Sequence, residues 1–537
     1  MNHLLSILLF LPALGAVAVL AARGRDAVRW TALGTTLLAL LISLLLLIRF
    51  DYHAPGLYGY APNHGVVQLV ERTAWIPAFN VDYLVGIDGL SLPLVILTAF
   101  IFAVAAIASW KIEKMPRGYF ALLLFLETGI LGVFLSLDFF LFYVFFEISL
   151  FPMYFLIGIW GGPRREYAAI KFFLYTLVGS IAMLIALIAV YLTTHSFDMI
   201  ELPALLAAKT AAGQPLAQVG PVLFALLMFA FLIKVPAVPL HTWLPDAHVE
   251  APTPISMVLA ALLLKMGGYG IFRVAYPFFP EAAKHLWLLV AVIGVASILY
   301  GGLCAMAQTD FKRLVAYSSV SHMGFVTLGA AMMTVASING AIFIMIAHGI
   351  TSAMMFFIVG VAQDRAEHRD IAHFGGLATT MPRFWGLATV GFLASLGLPG
   401  LCGFIGEILV LLGSFQAARS DSILLGGGFA LRGSIYVISL LATVGILLTA
   451  AYLLWTMQRV FFGPERPENK QFREIDQRET TVLASLASMA ILLGVLPTIF
   501  VFSMTSKSVE ALLNLFQNPA PATQLINADK SASPVAD

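Results

Sequence analysis

Thirty-five residues from Phe384 to Ala418 carry a single charge, Glu407. No water-facing surface can be built from such a stretch, and others like it recur along the chain. Of 537 residues 60% are hydrophobic and 11% charged, against roughly a quarter charged in a soluble domain. The bilayer is therefore the solvent. In hydrocarbon every backbone N–H and C=O must be satisfied within the chain, which leaves helices and closed barrels. The uncharged runs decide for helices, because about 20 residues at 1.5 Å rise cross a ~30 Å core. The expected fold class is all-α, a polytopic integral membrane protein.

Hydropathy and helix breaks place fourteen spans, at 3–22, 29–49, 86–109, 117–136, 139–161, 168–193, 221–241, 252–272, 285–304, 312–334, 338–361, 384–418, 434–458 and 480–503. The stretch 384–418 is too long for one straight span and contains "LGLPGLCG", so it reads as one interrupted helix. The opening "MNHLLSILLFLPALGAVAVLAARGR" resembles a signal peptide, but its Arg residues follow the apolar run instead of preceding it, so we read it as a retained first helix. With the N-terminus outside, nineteen of the thirty Lys and Arg fall on inside loops and nine on outside segments, with Lys234 and Lys265 inside spans. That bias supports the count and the orientation. The expected layout is N-terminal helices over 1–116, a first repeat over 117–280, a second inverted repeat over 281–460, a loop and last helix over 461–503, and a polar tail over 504–537.

Net charge is +1, which gives no argument for nucleic acid. Cys304 and Cys402 form no C-x-x-C, so no iron–sulfur cluster or zinc ribbon is expected on this chain alone. Neither a G-x-G-x-x-G fingerprint nor a P-loop occurs. Any redox chemistry is expected to take place on other chains, with no cofactor or metal held here.

A charge at the bilayer centre costs about 2.5–3.5 kcal/mol on insertion scales, so residues of this kind face the bundle interior and act there. Four stand out. Glu147 has eight uncharged residues before it and sixteen after, Lys234 follows thirteen uncharged residues from Pro221, and Lys265 lies in "PISMVLAALLLKMGGYG", while Glu407 is the charge noted above. Structural ion pairs or snorkelling from span ends would be the plain alternative, but Glu147 and Lys234 have no helix end within reach. Burial favours the neutral form of each group and an opposite charge nearby reverses this, so moving a partner by a few ångströms loads or releases a proton. Alternating acidic and basic stations suit protons better than a bulky substrate.

Helix breaks stand beside two of these charges, in "KVPAVP" and "LGLPGLCGFIGE". Pro236 and Pro239 cannot donate backbone hydrogen bonds, and the carbonyls they free must face protein or a watery cavity. Paired interrupted helices five spans apart point to inverted repeats in a transporter, here spans four to eight and nine to thirteen. His241 and His248 in "HTWLPDAHVEAPTPIS", His322 in "YSSVSHMGFV" and His348 in "FIMIAHGITS" are candidate relay groups. Glu127 in "LLLFLETGILG" is another, with a hydrogen-bonded core acid as its plain alternative. Two intramembrane histidines also raise haem ligation, but electron transfer across a membrane generally needs more than one such pair.

Over residues 85–500 the segments "FYVFFEISLFPMYFLIGIWGG", "FLIKVPAVPLHTWLPDAHVEAPTPISMVLAALLLKMGGYG" and "RLVAYSSVSHMG" resemble the antiporter-like membrane subunits of respiratory complex I, the proton-pumping NADH–quinone oxidoreductase. The resemblance implies fourteen helices, two inverted five-helix repeats, broken helices seven and twelve, and a central polar axis. It matches Glu147, Lys234 and Lys265 to the family's proton-translocating residues on helices five, seven and eight. Relatives usually carry lysine on the broken helix twelve; Glu407 is the choice of subunit M (chain 4), the closest match. Implied partners are the other membrane-arm subunits, neighbouring antiporter-like subunits and the lipid bilayer. The parent complex is expected to use NADH, FMN, iron–sulfur clusters and quinone, in a bacterial plasma (inner) membrane. Two alternatives stay open: a subunit of a cation/proton antiporter or membrane-bound hydrogenase, and a structural scaffold of the membrane arm.

Overall fold

The computed structural model describes residues 3–54, 59, 66–212, 216–419 and 429–517. Among the described residues, fourteen helices are long and apolar enough to cross a membrane. They differ in what covers them. Leu4–Ala21 and Arg25–Arg49 are largely exposed along their apolar lengths, whereas Thr253–Phe278 and Val335–Ala366 are covered on every side. An apolar helix exposed along its length belongs against lipid, and a fully covered one belongs at the centre of the bundle. Lys265 and His348 lie on the two central helices.

Proline and glycine shape the interior. The helix Leu216–Lys234 stops at Lys234, and the chain resumes as Trp243–Glu250. Partners within the protein satisfy the groups this break frees. The Ala237 N–H donates to Leu232 O at 2.9 Å, the Trp243 indole donates to Ile233 O at 3.0 Å, and the Val238 N–H donates to the Ser297 hydroxyl at 2.9 Å. The long segment 384–418 likewise resolves into Pro382–Leu396 and Cys402–Arg419. Gly397 ends the first of these with φ +81, a left-handed turn open to glycine at no steric cost.

The helix Thr253–Phe278 packs against the end of Leu216–Lys234 at Gly267. A Cβ there would lie 2.6 Å from Phe231 O and 2.8 Å from Lys234 Cβ. The same helix widens into π-helical turns at Leu259–Leu263 and Ile271–Ala275, one on each side of Lys265. Such bulges are frequent at functional sites.

Three features depart from the sequence reading. An antiparallel hairpin, Gln68–Ile76 with Val81–Ile87, precedes the third span. Its Glu71 carboxylate accepts from Leu5 N at 2.8 Å and Ser6 N at 3.1 Å, capping the first helix from a distant strand. Residues expected to begin a polar tail instead form the helix Ser503–Gln517, which packs on Val335–Ala366; residues 518–537 lie outside the described residues. Finally, Arg273, which directly follows the span expected at 252–272, is fully buried and paired with Asp88 at 2.5 Å.

Candidate functional site

Four sequence-predicted residues lie in one row through the centre, as two hydrogen-bonded pairs whose histidine rings are neighbours. Lys265 Nζ, 0% exposed, lies 2.7 Å from His348 Nδ1 and donates to Ala260 O at 2.6 Å. The His348 and His322 rings are 5.6 Å apart between centroids. His322 Nδ1 lies 3.1 Å from the Glu407 carboxylate. Three helices position the line. Lys265 comes from Thr253–Phe278, His348 from Val335–Ala366 and His322 from Phe311–Met332. Glu407 sits one turn into Cys402–Arg419, just past the break, and Gly397 leaves room for it: a Cβ at 397 would lie 2.9 Å from Glu407 Oε2.

The second pair is Glu147 and Lys234. Their charges act on each other, and the Ser180 hydroxyl lies beside the Glu147 carboxylate. They are not in ion-pair contact. Lys234 Nζ has no hydrogen-bond partner and instead sits 4.8 Å from the Phe146 ring centroid and 5.8 Å from that of Phe172. A cation held over aromatic faces, at the C-terminal end of its own helix, is attracted without being fixed by a hydrogen bond. That arrangement leaves its proton available.

The remaining candidates are scattered. His248 is buried and stacked on Phe356 at 4.3 Å, with neither ring nitrogen holding a protein partner. His241 stands off the line, against Tyr300 and Tyr317. Glu127 is buried with both oxygens unpartnered. His322 and His348 commit their Nδ1 atoms to Glu407 and Lys265, an arrangement that argues for relay groups. Among the described residues no group of three or more His, Cys, Asp and Glu is placed to hold a metal.

Several buried charges escaped the sequence reading. Lys312, the first residue of the span expected at 312–334, is 4% exposed and its Nζ donates to Ala251 O. Glu479 gathers Arg365 at 2.6 Å, Arg478 at 3.2 Å and Lys111 at 3.3 Å, which ties the helices beginning at Leu92, Val335 and Gln477 at one end of the bundle. Asp138 caps the helix that carries Glu147, accepting from Leu141 N at 2.9 Å. Burial, then the neighbouring Asp198, push its carboxyl up from 3.8 to about 6, although backbone donors from Leu141, Asp82 and Phe140 pull the other way. These residues sit at span edges, where charge is normally topogenic, so no uncharged run flags them.

The chain is similar to known proteins over most of its length. Residues 136–431 match the family described as "NADH:quinone oxidoreductase/Mrp antiporter, TM", and residues 65–138 match "NADH-ubiquinone oxidoreductase chain 4, amino terminus". The chain belongs to the NADH:quinone oxidoreductase/Mrp antiporter membrane family. Among relatives in this family, NADH-quinone oxidoreductase subunit M of Rhodobacter capsulatus is 41% identical over 516 residues, covering 93% of this chain and 94% of the relative. NAD(P)H-quinone oxidoreductase chain 4 1 of Synechococcus sp. is 38% identical and covers 99% of this chain and 98% of its own length. Among solved structures, respiratory complex I from Thermus thermophilus contains a chain that superposes with a TM-score of 0.81 at 28% identity, covering 95% of this chain and 99% of that one. The Mrp complex from Dietzia sp. shares the fold, with a TM-score of 0.77 at 22% identity, covering 99% of this chain and 57% of that one.

Proposed function

We propose that this chain is the proton-translocating membrane subunit of an NADH–quinone oxidoreductase, the counterpart of subunit M. The observation that carries the reading is the buried row Lys265–His348–His322–Glu407, hydrogen-bonded at each end with the two rings side by side between, all of it titratable and all of it inside the bundle. Ionisable groups inside a membrane bundle are functional candidates by default. Relatives named for NADH–quinone oxidation, matched over nearly their whole length, supply the reaction to which the line is coupled. NADH, FMN, iron–sulfur clusters and quinone then belong to the partner subunits, and neighbouring antiporter-like subunits flank this one in a bacterial inner membrane with the N-terminus outside.

In this reading Glu147 and Lys234 load a proton, Lys265 and the histidines pass it along, and Glu407 releases it. His241, His248 and Glu127 are side stations. Moving one charge against 100 mV costs about 2.3 kcal/mol, comparable to two pKa units at roughly 1.4 kcal/mol each. One buried pair changing its spacing is enough to supply that. Two inverted repeats over 117–280 and 281–460 are supported by a local match. Asp138 heads its helix and faces Asp198 through a short backbone bridge, and 172 residues further on Asp310 heads its own helix and faces Asp370 in the same way.

A cation/proton antiporter subunit shares the fold, but Glu407 stands where that group usually carries lysine. A passive scaffold would leave the line idle. NADH-driven quinone reduction and acidification of inverted membrane vesicles decide between these readings, comparing Glu147→Gln with wild type at equal assembly. Loss of both activities supports the pump; survival of both supports the scaffold; a wild-type complex inactive with NADH points to the antiporter.

A further inference from the structure

Lys265 shares its helix face with polar residues that the proposed route does not use. Tyr269 stands four residues on, within the regular turns Leu264–Gly270, so it lies on the same side of the helix. Its hydroxyl donates to Phe134 O at 3.2 Å, and the Arg273 Nε–H donates to the Tyr269 oxygen at 3.0 Å. Arg273 in turn pairs with Asp88 at 2.5 Å, and the Asp88 carboxylate also accepts from Leu90 N at 3.0 Å and Ser91 N at 2.9 Å. Arg273 is 1% exposed and Asp88 2%. These groups run from Lys265 towards the end of Thr253–Phe278 assigned to the outside.

That end is closed as well as charged. The helix Ser503–Gln517 lies against it: the Gly89 N–H donates to the Ser508 hydroxyl at 3.0 Å, and Gly89 has no room for a Cβ against Met504 O. Between this helix and the ion pair is a cavity of about 10 Å³, lined by Asp88, Phe272, Arg273, Ile342, Ser508 and Leu512. That is space for a single water at most, too little for a chain of waters.

Hydrogen-bond direction then decides what a proton can do here. A proton leaving Lys265 for the outside needs an acceptor at every step. The Tyr269 hydroxyl already gives its proton to a carbonyl, and its outer neighbour is a guanidinium, which donates only and keeps its charge. The guanidinium stands between Tyr269 and Asp88, so the carboxylate is reached only past it. A second positive charge approaching in a low-dielectric interior is repelled. We infer that Arg273 is an outward stop: it keeps a proton on Lys265 from leaving along its own helix, so that release is left to Glu407. The stop rests on the proton-pumping reading above, and Asp88 and the helix Ser503–Gln517 hold it in place.

An ion pair that only fastened two helices would show the same contacts. Lysine separates the two roles, because it keeps the charge facing Asp88 but gives up a proton readily when buried. The test uses assembled complex in liposomes with a trapped pH indicator, comparing wild type, Arg273→Lys, and Arg273→Leu with Asp88→Asn. The readouts are the decay of a pH step imposed without NADH and the protons retained per NADH oxidised. In both variants the decay is expected to speed up at least ~10-fold, the effect of a barrier lower by ~1.4 kcal/mol, and fewer protons should be retained per NADH. Adding Lys265→Met to Arg273→Lys should remove the extra leak.

Decay at the wild-type rate in either Arg273 variant would show a fastening and overturn the stop. A leak that outlasts Lys265→Met would overturn the route from Lys265. If neither Arg273 variant assembles, the wild-type complex decides, and its decay is expected to equal that of protein-free liposomes. Faster decay, with the excess lost in Lys265→Met but kept in Glu407→Gln, would show this end open and overturn the stop. Normal pumping by Lys265→Met alone would instead overturn the underlying reading of the row.

Discussion

Gly267→Ala tests the packing that places Lys234, and its size follows from the structure. The added Cβ would meet Phe231 O at 2.6 Å and Lys234 Cβ at 2.8 Å, and ordinary contact begins at 3.4 Å. The end of Leu216–Lys234 must therefore shift by about 0.8 Å, the gap between 2.6 and 3.4 Å. Neither neighbour is a flexible side-chain end, so the backbone moves. Overpacking of this kind costs roughly 1–3 kcal/mol, too little to stop a large membrane subunit from assembling. Function is less tolerant, because a misplacement near 1 Å can cost ~10²-fold when reacting groups must be aligned. We expect about a tenfold loss of both NADH-driven quinone reduction and vesicle acidification, with normal amounts of complex on native gels. Gly386→Ala is the control, since nothing lies within 4 Å of the added Cβ. If Gly267→Ala keeps full activity, this contact does not set the position of Lys234 and the reasoning fails.

Further predictions follow from other buried charges. Arg273→Leu leaves Asp88 as an uncompensated buried charge, an effect of about 3–5 kcal/mol, and should strip the subunit from the complex; Arg273→Leu with Asp88→Asn should restore assembly on native gels. Glu407→Gln removes the charge facing His322 at 3.1 Å, and with charge-assisted hydrogen bonds worth about 1.5–3 kcal/mol both coupled activities should drop roughly tenfold or more. Asp138 has a folded pKa raised from 3.8 to about 6, so the folded state holds this proton more tightly than the unfolded one. The group is neutral to stability below about pH 4, its penalty grows as pH rises towards about 6, and above that the full penalty is of order 3 kcal/mol. Asp138→Asn keeps a cap acceptor, so its heat-inactivation half-life should match wild type near pH 4 and exceed it at pH 7; a gap that does not change with pH would count against the assignment.

Much of the site was legible because a charge deep inside an uncharged run is costly in a bilayer and so stands out. Glu147, Lys234, Lys265 and Glu407 announced themselves that way, and proline next to Lys234 marked the break that the backbone shows. The histidines were found by residue type, but only the structure shows that His348 and His322 bridge Lys265 to Glu407 while His241 stands aside. Lys312 and Arg273 stayed hidden because a cation at a span edge looks the same whether it flanks the membrane or turns inward. The hairpin at Gln68–Ile76 and Val81–Ile87 is short and half exposed, too weak a signal beside the apolar spans. The helix Ser503–Gln517 carries Lys507 and Glu510 on one side and buries Leu512 and Phe516 on the other, and a hydropathy average cancels that amphipathic pattern.

The central claim is that protons driven by NADH oxidation cross through the buried line. The most direct test is NADH-driven acidification of inverted vesicles carrying Lys265→Met, with quinone reduction and assembly measured on the same preparation. Methionine keeps the length of the side chain and removes the amine that touches His348. Collapse of both acidification and quinone reduction in fully assembled complex is the predicted result. Acidification and quinone reduction at wild-type rates would contradict the account.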